Sequence, residues 1–254
     1  MARTMHSVTY DEVHDEIIVP NAFSHAILTF PGGASGELSP SRVMQGPLTG
    51  LVMPDHLAVD PIHDEMLVPV RTDQGSWIYV FPREAVGNVA PLRKLGGPNT
   101  GIGNGRVAVD PVRNLLFVTG NNGLKIFNRT DEGDVKPLRI ITGGPRSGTT
   151  GPTGHLAVHS PTGMIVATTS RFGRDRGSRS GDQPWNAQDP SVVQAFVGAW
   201  SRDDNGDVPP RWTIVHDILK EVRGVALDPQ SKGLIVSDKG LNAIMTFSFP
   251  EIFQ

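Results

Sequence analysis

Three polar residues recur at nearly constant spacing. His56, Arg106 and His155 are 50 and 49 residues apart, and each stands directly before a short apolar stretch: HLAVD, RVAVD or HLAVH. Asp55 precedes the first of them, and His6 and Arg223 fall one residue before the matching step of two further copies. Imidazoles with a nearby carboxylate can hold a divalent metal. One imidazole could instead act as a general base, while the planar guanidinium of Arg106 or Arg223 grips a carboxylate. The chain has no cysteine, which excludes disulfides, thiol nucleophiles and thiolate-bound metals.

What must position these residues is a repeat. Aligned on their shared core, five segments read SVTYDEVHDEIIVP from Ser7, HLAVDPIHDEMLVP from His56, RVAVDPVRNLLFVT from Arg106, HLAVHSPTGMIVAT from His155 and GVALDPQSKGLIVS from Gly224. Their starts are 49, 50, 49 and 69 residues apart. Each has a short alternating strand (A), a turn of the D-P-x-x type and a second β-branched strand (B), the pattern of a tight hairpin. A third apolar strand (C) follows in each copy, for example WIYVF at 77–81 and AIMTFSF at 243–249. A fourth (D) is read in SRVMQG, PLRKLGG, PLRIITGG and RWTIV. Four antiparallel strands in a unit of about 40 to 50 residues predict the blades of a β-propeller.

Through the recurring A-V-D-P and P-L-R-x-I-x-G elements, the chain resembles the NHL-repeat and six-bladed lactonase-like propeller superfamily, which includes gluconolactonase-type and YVTN-type members. The resemblance runs over nearly the whole length and implies the fold far more than a function. Gluconolactonase-type relatives would imply a calcium ion held by Glu, Asn and Asp at the inner strand mouths, serving lactone hydrolysis. Here those steps carry His and Arg, with Asp55 and Asn104 as the only oxygen donors, and a hard cation wants several.

The expected fold is therefore all-β: one propeller domain over 1–254, with blades at about 7–55, 56–105, 106–154, 155–223 and 224–254. Val8, Leu57, Val107, Leu156 and Val225 should sit at equivalent points of the five innermost strands. The last copy ends just after strand C, so its blade is expected to lack the outer strand and to leave an open edge where chains could associate. The chain could also be cut from a longer propeller.

In a propeller the D-to-A and B-to-C connections share one face, so His6, Asp55, His56, Arg106, His155 and Arg223 are expected around the channel mouth there. Copy four carries an insertion, residues 170–192, between strands B and C. It should lie on the same face as a lid, and its Arg171, Arg174 and Arg176, with Phe172 and Trp185 for stacking, could imitate a basic RNA-binding surface. Asp175, Asp182 and Asp189 partly cancel that charge. His14 and His63, in V-H-D-E and I-H-D-E, belong to turns on the opposite face, and Asp15, Asp64 and Glu65 read as solvated turn residues. Gly-rich 96–105 lacks the G-K-[ST] ending of a phosphate loop and reads as a turn.

A formal charge of -3 provides no field for nucleic acid or anionic lipid. No apolar run reaches the length of a membrane span, and none at the start forms a signal core. These readings point to a scaffold without chemistry of its own, binding a small polar or anionic molecule or a protein segment and needing no cofactor. A metal-assisted, lactonase-like hydrolase is the alternative, with a divalent ion at His56 and His155. RNA binding through the arginine-rich insertion comes third.

Overall fold

The computed structural model describes residues 7–103, 105–120, 122–170, 195–216 and 218–254. The fold is a β-propeller of five small antiparallel sheets, one per repeat, and its only helices among the described residues are two single 3-10 turns, Pro47–Thr49 and Pro250–Phe253. Sheet one is β1 (Thr9–Asp11), β2 (Glu16–Asn21), β3 (Ala26–Pro31) and β4 (Arg42–Gln45); sheet two is β5 (Ala58–Asp60), β6 (Glu65–Thr72), β7 (Gly75–Pro82) and β8 (Arg93–Gly96). Sheet three runs β9 (Val107–Asp110), β10 (Leu115–Gly120), β11 (Gly123–Asn128) and β12 (Arg139–Thr142). The short β16 (Gly206–Asp207) adds in parallel to β12. Sheet four is β13 (Leu156–His159), β14 (Met164–Ser170), β15 (Ala195–Ser201) and β17 (Trp212–Ile214). Sheet five has three strands, β18 (Val222–Asp228), β19 (Gly233–Asp238) and β20 (Ala243–Ser248).

The chain divides into two compact units. The first runs to residue 121 and takes in Lys125–Leu138; the second comprises Asn122–Leu124 and Arg139–Gln254. In the first, one apolar cluster joins sheets one and two around Ile18, Ile27, Met66 and Phe81, and another joins sheets two and three around Leu67, Val80, Leu116 and Phe127. In the second, Val166, Val197, Leu234, Val236 and Ile252 pack sheets four and five together. Period-two alternation puts the branched and aromatic side chains of each strand into these layers.

The tight turn between the first two strands has one chemistry in four of the repeats. The carboxylate of Asp60, fully buried, accepts the N–H of Ile62 (3.1 Å) and His63 (3.0 Å), and its other oxygen meets His63 Nδ1 at 2.8 Å. Asp11 does the same with Val13 and His14, while Asp110 and Asp228 hold Arg113 and Ser231. One residue after the histidine step the backbone is closed by a left-handed residue: Asp15, Asp64, Asn114, Gly163 and Lys232 have φ of 53°, 53°, 54°, 72° and 52°. Asp, Asn and Gly accept that conformation at low cost.

The expected alignment of the innermost strands holds in register, since Ala58 faces Leu67, Ala108 faces Phe117, Ala157 faces Val166 and Ala226 faces Ile235. Val8 departs from it in environment. Leu57, Val107 and Leu156 are buried, whereas Val8 is 65% exposed.

Neighbouring sheets are also latched along their outer strands. Gly87, in the loop before β8, bridges in parallel to Met44 on β4, its N–H donating to Val43 O and its carbonyl accepting from Gln45 N. Gly133 does the same to Leu95 on β8. The residue after each latch caps the turn that follows the latched strand: Asn88 Oδ1 accepts Leu48 N–H at 2.7 Å, and Asp134 accepts Asn99 N–H at 2.7 Å. In the second unit Gly206 and Asp207 repeat this arrangement on Ile141 and on the amides of Arg146 and Ser147.

Candidate functional site

The first unit holds a cleft of about 470 Å³. Val52, Met53 and Asp55, before β5, form one wall; Arg71, Thr72 and Asp73, at the end of β6, and Ser76 and Trp77, at the start of β7, form another; Gly103, before β9, closes it. Residues from D-to-A connections and from a B-to-C connection thus meet on one face, as the repeat topology requires. A smaller hollow of about 330 Å³ shares Thr72, Asp73 and Trp77 and adds Tyr79 and Lys94, whose ammonium lies 4.6 Å from the Tyr79 ring centre. The lining combines an indole, a phenol, cations and carboxylates, which suits a ligand with polar ends and a flat or apolar body.

Of the expected site residues, the structure brings two together. Arg106 Nη1 donates to Asp55 Oδ1 at 2.8 Å, with the pair 19% and 31% exposed. The Arg106 backbone is itself fixed, donating to Thr119 Oγ1 (3.0 Å) and accepting from Thr119 N–H (2.9 Å). The Asp55 carboxylate that lines the cleft is therefore anchored from the neighbouring blade. His56, the residue after Asp55, is buried. His155 and Arg223 belong to the second unit. His155 accepts Thr168 N–H through its carbonyl at 2.9 Å. Arg223 is the bulged residue between Val222 and Gly224, exposed, and donates to Glu221. His6, Arg171, Arg174, Arg176 and the expected lid lie outside the described residues.

Glu65 corrects the reading of the turn as solvated. It is buried, and its carboxylate takes Arg93 in a two-pronged pair (2.5 and 2.7 Å) together with Arg129 Nη1 (2.5 Å). Burial alone would raise its pKa, but the hydrogen bond and charge of Arg93, joined by those of Arg129, outweigh it and hold the carboxyl below the usual glutamate value. Glu16 repeats the motif with Arg42 (2.6 and 2.7 Å) and the buried Arg83 (2.8 Å), and its pKa is likewise lowered, first by the Arg42 bond. The H-D-E glutamates and the P-L-R arginine Arg93 were visible in the sequence; their pairing within a sheet, and the second arginine that joins each pair from the next sheet, were not. Asp64, exposed, accepts Arg83 Nε at 2.8 Å.

Among the described residues, no group of three or more His, Asp or Glu side chains is arranged to hold a metal ion, and no helix is long and apolar enough to cross a membrane.

Sheet order, repeat register and paired connections on one face define a β-propeller. No protein-family model matches the chain, and no curated protein is similar to it in sequence. Solved structures do share the fold. The chain is similar to one in a nidogen/laminin complex (TM-score 0.50, 13% identity, 94% of this chain and 78% of that one). It is also similar to a Bacteroides uniformis protein provisionally assigned as a 6-phosphogluconolactonase (TM-score 0.54, 13% identity, 97% and 66%). A third likeness is to hydrazine synthase of Kuenenia stuttgartiensis (TM-score 0.55, 11% identity, 94% and 75%). At these identities the likeness is one of fold.

Proposed function

We propose that this propeller is a binding scaffold of the NHL-like and lactonase-like kind, whose first unit takes a small polar ligand in the cleft between Asp55, Arg71 and Trp77. The observation that carries this reading is the cleft itself: about 470 Å³, the size of a small-molecule site, with polar groups from three connections converging on one indole. The anchored Asp55 gives it a fixed acceptor, and the exposed Arg71 a cation. A hydrolase of the lactonase type would need a hard-cation site built from several oxygen donors, and the described residues supply no such group. Recognition of a protein segment on the same face is consistent with the nidogen/laminin likeness, which concerns that protein and its complex.

A thermal-shift screen of small polar acids, sugars and short peptides tests the reading, since a ligand at 100 times its Kd stabilises by about 2.7 kcal/mol. A hit should lose its shift in Trp77→Ala and Arg71→Ala and keep it in Arg223→Ala. A hit indifferent to both cleft variants would place binding elsewhere and overturn the proposal.

A further inference from the structure

Lys125, on β11, is the unusual charge of the first unit. The residue is 3% exposed, yet no hydrogen bond or ion pair reaches it from any described residue. Burial is the sole influence on its ammonium, and it pushes the pKa below the ordinary lysine range.

The repeat explains how it comes to be there. Gly32, Arg83 and Arg129 hold one step, each donating its N–H to the carbonyl of the left-handed turn residue Asp15, Asp64 or Asn114. Counting back four residues gives Leu28, Tyr79 and Lys125. Tyr79 lies under Gly50, its ring 3.0 Å from where a Cβ would stand, and Lys125 lies under Gly101 in the same way, with Cε at 3.1 Å. Both glycines are left-handed, with φ of 63° and 60°. The step held by a half-buried leucine in the first blade and a buried tyrosine in the second here buries an amine.

That amine lies behind the cleft's Gly103 edge, across the Cβ position of Gly120. A Cβ on Gly120 would stand 3.8 Å from Lys125 Nζ and 3.4 Å from the backbone nitrogen of Gly103, and Gly103 is part of the cleft wall. Because Gly120 has no side chain, the ammonium and this amide face the same gap, and the Gly103 N–H donates to no other described residue. Two nitrogen donors beside the space that a side chain on Gly120 would take, one of them a buried cation with no ion pair to a described residue, suit an oxyanion. A negative partner would offset the cost of holding the charge away from water.

We propose that Lys125 is the oxyanion-recognising group of the cleft, pairing with a carboxylate or phosphate of a ligand that enters past Gly103. This rests on the cleft being a ligand site and names the chemical class of what it takes.

The test uses the full chain with 13C-labelled lysine. The Lys125 Cε signal is assigned by its loss in Lys125→Met and followed through a pH titration in chloride, in inorganic phosphate and in acetate. Phosphate, acetate or both should raise the Lys125 midpoint by about one pH unit, a tenfold gain in proton affinity. Which anion does so identifies the oxyanion. Gly120→Ala, whose methyl would make only ordinary van der Waals contact, should fill the gap and cancel the shift without unfolding the protein. A midpoint unmoved by either anion overturns the proposal. So does a screening hit that binds Lys125→Met with unchanged affinity while still losing its shift in Trp77→Ala; that outcome leaves the cleft reading standing.

Discussion

Arg129 Nη1 lies 2.5 Å from Glu65 Oε2, and the two side chains are only 8% and 11% exposed. One comes from the third sheet and the other from the second, and Arg93, at the end of the same glutamate, completes a clasp across the blade boundary. The clasp formed by Glu16, Arg42 and Arg83 joins the first and second sheets in the same way.

Removing the shared carboxylate leaves two guanidinium groups poorly solvated, so Glu65→Gln should cost about 3 kcal/mol in urea unfolding. Acid should act in the same direction. Because the folded pKa values of Glu16 and Glu65 are lowered, their contribution is complete above the usual glutamate value of 4.5 and is lost as the pH falls below it through the folded values. Glu65→Gln should therefore flatten the loss of stability on acidification. An unchanged slope would mean that the clasp contributes nothing in solution.

Lys232 occupies a left-handed turn position, with φ of 52°, where its counterparts are Asp15, Asp64, Asn114 and Gly163. A lysine gains nothing from that backbone, whereas asparagine enters it readily. Lys232→Asn should raise stability by about 0.5 kcal/mol, read as a higher urea midpoint with an unchanged slope. Destabilisation would show that the lysine side chain makes a compensating interaction.

The outer edge of β20 pairs with no strand among the described residues, and Ile244 on it is 76% exposed. Such an edge is a template for another strand. The protein should associate at high concentration in sedimentation velocity, and Ile244→Lys should suppress this without lowering the unfolding midpoint. A wild-type protein that stays monomeric throughout would rule out the edge as a contact.

Much of this architecture was legible because the signals are local. The D-P-x-x turns, the alternating strands beside them and the three-stranded fifth blade can all be read within windows of a dozen residues, where hydrogen bonding and pleat dictate residue type directly. Asp55 and Arg106 could be placed on one face by counting, but not paired. The function of Glu65 was misread because a carboxylate beside a turn looks the same in sequence whether water or two arginines from other strands surround it. Lys125 gave no signal, since its neighbours Gly101 and Gly120 matter through space that only packing creates. The cleft lining at Arg71 and Trp77 escaped for the same reason.

The latches at Gly87, Gly133 and Gly206 bear on how such a chain can change over time. Each is a backbone grip, made by a loop on the outer strand of the blade before it, and its cap needs only an Asn or Asp in the next position. A duplicated or deleted gene segment running from one loop to the next would carry half of each seam and find its complement already in place. Blade number could then drift by whole copies without a second, compensating mutation. The clasps, whose glutamate step is occupied by Leu115 and Met164 in the third and fourth sheets, are the part of the seam that individual copies are free to lose.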